Sequence, residues 1–405
     1  MEHIEGGVCA ARGFTASGIH CGIKDNNSDK KDLALIVSEK MCSAAAVYTT
    51  NKVKGAPIAV TRRNIADGKA KAIICNSGNA NTCAPNGEQI ADETCELTAH
   101  ELGMHSHDII VASTGVIGEA LSIVPFTNSI PELAAKLSSD GSADAASAIM
   151  TTDTIHKEDA VEFELGGKTC HIGGIAKGSG MIHPNMATML SFITSDVDIE
   201  PGLLQSVLSE DVKGTFNQIS VDGDTSTNDM VAVMANGMAG NERISDQGEA
   251  LETFRKALNE VTTKLARTLA SDGEGAGKLI TCRVDRAETV QQARDISRSV
   301  ISSNLLKAAI FGEDANWGRV LCAIGYTPGE FSADNIDVVM KSVNGSVTVC
   351  EGSRYKDHSE DEAAKVLQAD EIEIDVNMNS GIASATAWGC DLTYDYVRIN
   401  GDYRS

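Results

Sequence analysis

The chain has 405 residues, 42% hydrophobic and 22% charged, with 37 glycines, which suits a globular protein with more than one core rather than a disordered or fibrous one. Its 57 acidic and 34 basic residues leave a net charge of -23, which argues against nucleic acid or an anionic membrane as partner, since both need a positive footprint. No apolar run reaches the ~18 residues of a membrane span, Met1 to Gly7 lacks a basic segment leading into an apolar one, and the eleven cysteines stand singly without zinc-like spacing. A cytoplasmic protein with reduced thiols, no metal and no cofactor is expected.

Lys71 to Cys75 reads as a strand entering the polar loop Asn76 to Asn81, and a helix follows over roughly 88 to 103. Asp108 to Ala112 is a second strand, stopped by Ser113-Thr114-Gly115. Alternation resumes at Val161 to Leu165, and Thr188 to Ile199 is β-branched and apolar throughout. The longest helical pattern covers roughly 246 to 270, where Leu251, Phe254, Leu258, Val261, Leu265 and Leu269 recur at three- and four-residue spacing. It stops at Asp272-Gly273-Glu274-Gly275, before strands at Lys278 to Val284, Ile336 to Val343, Ser346 to Cys350 and Glu371 to Asn377. Such mixing predicts sheets covered by helices. No proline-rich linker divides the chain, and the one candidate boundary lies near its middle.

That boundary is KGSGMIHPNMATMLSFITSD, residues 177 to 196. Gly178, Ser179 and Gly180 supply a close-approach backbone, and Pro184 with Asn185 a bend before a strand. A bend of this kind can expose one peptide bond, letting the Thr188 hydroxyl attack the Ala187 carbonyl in an N-to-O acyl shift that hydrolysis completes. The freed α-amino group, with a pKa of about 7.7 to 8.0, would then serve the neighbouring hydroxyl as its base. The same residues also read as a surface turn or a weak phosphate loop, with Thr188 merely opening a strand.

KGSGMIHPNMATML resembles the self-cleavage and active-site motif of the ornithine acetyltransferases, or glutamate N-acetyltransferases, of arginine biosynthesis. GFTASGIHCGIK at 13 to 24, NSGNANTC at 76 to 83, ASTGVIG at 112 to 118, VDGDTSTND at 221 to 229, SDGEGAGKLI at 271 to 280, FGEDANWGR at 311 to 319 and NGDYRS at 400 to 405 resemble further family segments in family order. The resemblance implies an α+β fold, an α-β-β-α sandwich similar to the N-terminal-nucleophile hydrolases. It also implies a precursor cut into chains 1 to 187 and 188 to 405 that stay together as an α2β2 heterotetramer.

By the same resemblance Thr188 is the nucleophile that takes acetyl from N2-acetylornithine and passes it to glutamate in a ping-pong cycle. Thr114 and Gly115 match the oxyanion pair, and Thr151, Lys177, Thr188, Glu274, Asn400 and Ser405 match the substrate-binding set. Thr152 competes with Thr151 for its position. The tail to Ser405 is expected to be tied down at the site. Two positions depart from the family pattern: His156 stands where a proline is usual, and Ser405 where threonine is commoner. Acetyl-CoA as a second donor stays open.

Outside the resemblance, His105 and His107 form an HxH without supporting ligands. Asp222, Asp224 and Asp229 lack calcium-loop spacing and are expected to satisfy backbone groups around a turn. A self-cleaved amidase or aminopeptidase, in which water takes the acyl group, is the alternative function. An uncut binding protein would leave the Ala187–Thr188 motif without a purpose.

Overall fold

The structure is a computed structural model that describes residues 1–24, 30–183 and 189–402. The proposed scissile residues Ala187 and Thr188, and the terminal Ser405, lie outside the described residues.

Two sheets carry the fold. The first runs Glu2–Ile4, Lys157–Leu165, Lys168–Lys177, Leu190–Ser195, Met230–Ala235, Leu33–Tyr48, Lys69–Asn79, Ile109–Val116, with Phe14–Ile19 also paired to Leu33–Tyr48. The 16-residue strand Leu33–Tyr48 serves both arms of this sheet, and its pairing with Lys69–Asn79 shifts register between Val37 and Cys42. At that shift the sheet folds over itself. Ala34, Ile36, Ile73 and Ile110 of one arm share a single core with Ile175, Phe192, Met230 and Ala232 of the other.

The outer faces of both arms are covered by helices. Ile172, Ile193, Val231 and Val233 pack against Leu204 and Leu208 of helix Pro201–Gly214 and against helix Glu249–Ser271. On the other arm, Leu35, Ile74 and Val111 meet Val60, Ile90 and Phe126 from helices Ala56–Asn64, Gly87–Leu102 and Val124–Ala135. The layers are therefore helix, sheet, sheet, helix, as expected. In Glu249–Ser271, Phe254, Leu258, Val261 and Leu269 are all 0% exposed. At ~1.5–3 kcal/mol per large side chain, that burial outweighs any intrinsic helix propensity in placing it.

The second sheet runs Arg354–Tyr355, Gly345–Glu351, Asp337–Ser342, Glu371–Asn377, Leu279–Ala287, Ala383–Cys390, Ile219–Ser220. Helices Val290–Ser302, Asn304–Phe311, Trp317–Gly325 and Glu360–Leu367 cover one face, where Ile296, Val300, Leu306, Val320 and Val366 pack on Ile280, Val284, Ile372 and Ile374.

Strands from the two sides of the proposed cut are interleaved. Leu190–Ser195 pairs antiparallel with Lys168–Lys177, and Met230–Ala235 pairs with both Leu190–Ser195 and Leu33–Tyr48. The expected strand from 188 to 199 is, among the described residues, Leu190–Ser195. One other expectation changes: Ser113-Thr114-Gly115 does not stop a strand but belongs to Ile109–Val116. Lys177 ends the strand Lys168–Lys177.

Candidate active site

A cavity of about 300 Å³ opens where the two arms of the first sheet end, and Thr114, Gly115, Thr151, Thr152, Lys177, Glu274 and Asn400 all line it. These residues come from five separate stretches of sequence. Met189 and Leu190, which follow the proposed cut, also lie on its wall.

Thr114 and Gly115 are placed by the parallel pairing of Ile109–Val116 with Lys69–Asn79, which becomes irregular at Gly78 and Asn79. Gly115 has φ +132°, and a Cβ there would stand 2.3 Å from the Gly78 carbonyl carbon, so only glycine lets the two strands meet this closely. The NSGNANTC motif braces the same place. Ser113 Oγ donates to Asn76 Oδ1 at 2.6 Å, and Asn76 Nδ2 donates to the Asn79 carbonyl at 2.9 Å. Asn228 Nδ2 donates to the carbonyls of Ala80 (2.6 Å) and Ser113 (2.9 Å), while Thr82 and Thr227 hydroxyls donate to its Oδ1, each at 2.6 Å. Every polar atom of that buried amide is used, which fixes the strand end just before Thr114.

Lys177, 8% exposed, sits opposite Leu190 in the antiparallel ladder. Its Nζ lies 3.3 Å from Thr114 Oγ1. An ammonium can only donate, so the threonine oxygen accepts and its own hydroxyl hydrogen is left to donate elsewhere. The same ammonium lines the cavity.

Glu274 is 9% exposed. Gly180 has no side chain for a reason: a Cβ there would lie 2.4 Å from the Glu274 carboxylate. Asn400 Nδ2 donates to Glu274 Oε2 at 2.7 Å, and Thr393 Oγ1 donates to the Gly275 carbonyl at 2.7 Å. The helix Tyr394–Asp402 is thereby held over the cavity as far as the described residues reach. Both Thr151 and Thr152 line the wall, so the register of the threonine run stays open.

The segment before the proposed cut is clamped by VDGDTSTND. Asp222 accepts the backbone N–H groups of Met181 (2.6 Å) and Ile182 (2.9 Å). Val221 N–H donates to the Ile182 carbonyl at 2.7 Å, and Thr225 Oγ1 to that of His183 at 3.0 Å. Met181 itself adopts φ 56°, a left-handed conformation uncommon for a side chain of its size. Asp222 thus does satisfy backbone groups, as expected, and the groups it satisfies lead into the proposed scissile bond.

Sequence reasoning missed Ser226, Thr227, Asn228 and Asp229 on the cavity wall. Asp229 is 2% exposed, and its Oδ2 has no hydrogen-bond partner among the described residues. Burial raises its carboxyl well above the ordinary range, against the pull of nearby Ser226, Lys177 and Thr49. Four polar residues directly before the fully apolar strand Met230–Ala235 were the available signal.

The ArgJ family profile matches residues 15–405. The chain is similar to the arginine biosynthesis bifunctional protein ArgJ of Symbiobacterium thermophilum, 49% identical with all of both chains covered. Among solved structures it is similar to the arginine biosynthesis bifunctional protein ArgJ from Bacillus halodurans, 46% identical, with 53% of this chain covering 100% of that one at a TM-score of 0.51. It is also similar to an ornithine acetyltransferase of Mycobacterium tuberculosis complexed with ornithine, 33% identical, with 46% of this chain covering 99% of that one at a TM-score of 0.42.

Proposed function

The chain belongs to the ArgJ family, and from that premise we propose that it moves the acetyl group of N2-acetylornithine to glutamate through an acetyl-threonine at Thr188, with acetyl-CoA as a second donor. The observation that carries this reading is the convergence of Thr114, Gly115, Thr151, Lys177, Glu274 and Asn400 on the one cavity that Met189 also lines.

The chain first cuts itself between Ala187 and Thr188. The new α-amino group takes the proton of the Thr188 hydroxyl, whose oxygen attacks the acetyl carbonyl. The Thr114 hydroxyl and the Gly115 N–H hold the resulting oxyanion, and collapse breaks the amide with the proton returned to the leaving nitrogen of ornithine. Glutamate then enters with its amine free and attacks the acetyl ester by the reverse sequence. In this reading Lys177 pairs with the α-carboxylate of either substrate, and Glu274, set by Asn400, receives the side-chain ammonium of ornithine. Thr151 supplies a further contact, and Ser405 completes the set from the tail.

The interleaved strands mean that chains 1 to 187 and 188 to 405 would stay joined after the cut, and family behaviour makes the assembly α2β2. The Bacillus halodurans chain, matched over its whole length by 53% of this one, has about the share that residues 188 to 405 occupy. The word bifunctional in the relatives' names supports acetyl-CoA as the additional donor. A cytoplasmic location fits an enzyme of amino-acid biosynthesis. No described helix is long and apolar enough to cross a membrane.

The test is acetyl transfer from N2-acetylornithine measured with and without glutamate. Acetylglutamate should form in step with ornithine release. Ornithine release that ignores glutamate, with free acetate as the product, would favour the amidase instead. Acetylglutamate formed from acetyl-CoA and glutamate alone tests the second donor.

A further inference from the structure

Behind the cavity wall lies a buried charge cluster to which the transfer chemistry assigns no task. Lys157, 1% exposed, donates from Nζ to Asp153 Oδ1 at 2.6 Å and to Asp272 Oδ2 at 2.5 Å. Asp153 Oδ1 also accepts the Gly178 N–H at 2.6 Å, and its Oδ2 accepts the Thr151 N–H at 2.9 Å. Asp272 accepts the Thr154 N–H at 3.0 Å and the Thr154 hydroxyl. The Asp272 carbonyl takes the Ser179 hydroxyl at 2.7 Å, and Glu274 N–H donates back to the Ser179 carbonyl at 3.1 Å.

The three segments that present Thr151, Lys177 and Glu274 to the cavity therefore all end on one ammonium. Burial favours a neutral Asp153, but the charges of Lys177 and Lys157 and the hydrogen bonds from Lys157 and the Thr151 N–H pull its carboxyl down to about 2, so it is charged. A buried ion cluster of this kind is a poor source of net stability, because desolvation offsets the Coulomb gain. What it does supply is fixed geometry.

We propose that Lys157 is a positioning residue for the amino-acid substrates: by bridging Asp153 and Asp272 it sets the spacing of Thr151, Lys177 and Glu274 around the cavity. The bridge also ties the part of the chain before the cut to the part after it. This rests on the transferase reading of the cavity.

Lys157→Met keeps the length of the side chain and removes its charge, leaving two buried carboxylates facing each other with Lys177 as the nearest remaining cation. Their repulsion pushes the two segments apart at high pH and is relieved when one of them takes up a proton at low pH. The expected result is a KM for glutamate raised about tenfold at pH 8 with kcat changed less than about threefold, the KM ratio to wild type shrinking as pH falls toward 5. A folded Lys157→Met enzyme with unchanged KM, or with the same KM ratio at every pH, overturns the proposal.

If that variant does not fold, Asp272→Asn decides, since it keeps the shape and weakens the bridge: KM should rise with kcat held, and an unchanged KM overturns the proposal. Wild-type protein that transfers no acetyl group would sink the transferase reading instead. The bridge is then judged by calorimetric ornithine binding, where Lys157→Met should raise Kd about tenfold and an unchanged Kd contradicts it.

Discussion

The two sheets are built for different work. The first is buried on both faces, and strands such as Met230–Ala235 and Leu190–Ser195 have no exposed residue at all. The second is covered by four helices on one face; on the other, Leu279, Trp388 and Cys390 pack against helix Glu249–Ser271, while Glu371–Asn377 and Asp337–Ser342 keep half-exposed residues there. That other face carries Arg283, Asp285, Lys341, Glu373 and Asp375, partly paired as Arg283–Asp285 and Lys341–Asp375. Screened pairs on an open face contribute little. The cavity opens where the ends of the doubly buried sheet meet, so its ammonium, hydroxyls and carboxylates act with little competing water. The second sheet reaches that place through the loop bearing Glu274, the helix bearing Asn400 and the segment to Asp229 that follows its strand Ile219–Ser220.

The contrast can be broken at several points. Thr188→Ala should abolish both chain cutting and transfer, seen as one uncut band on denaturing electrophoresis; a purified variant that still splits rules out autocatalysis. Thr114→Val keeps the shape and removes one oxyanion donor, so kcat should fall on the order of 10²–10³-fold with modest change in KM. In the second sheet, Ile374→Ala should cost about 2–5 kcal/mol in denaturant unfolding while leaving KM for glutamate unchanged. A KM change there would mean that the second sheet shapes the cavity directly.

His183 tests the acid limb of stability. Burial, and then nearby Arg298, lower its pKa from 6.5 to about 4. The unfolded chain therefore binds a proton that the folded one refuses, and stability should fall as pH drops from about 6.5 toward 4. His183→Asn should remove on the order of 2 kcal/mol of that loss, read from melting at a series of pH values. The smallest effect is expected at Ile382, which is 97% exposed: Ile382→Ser should leave melting within about 0.5 kcal/mol and activity unchanged.

How far the sequence could be read also differs between the sheets. Glu371–Asn377 alternates charged and apolar residues because one face is wet, and its bounds are those expected. Leu33–Tyr48 and Met230–Ala235 went unrecognised, since a strand buried on both faces has no period of two and an alanine-rich run favours no element strongly. Thr114, Gly115, Lys177, Glu274 and Asn400 came from family resemblance, and the cavity gathers them. Ser226, Thr227, Asn228 and Asp229 did not, because short polar residues before a strand look the same whether they cap a turn or line a wall. The bridge through Lys157 joins residues 115 positions apart in the chain, a proximity that no local pattern carries.

The central claim is that Thr188, once freed, carries the acetyl group. Mass spectrometry of the wild-type protein mixed with N2-acetylornithine tests it directly. Two fragments breaking between Ala187 and Thr188 are expected, with the fragment that begins at Thr188 heavier by one acetyl group until glutamate is added. An intact chain, or an acetyl group on any other residue, would contradict the account.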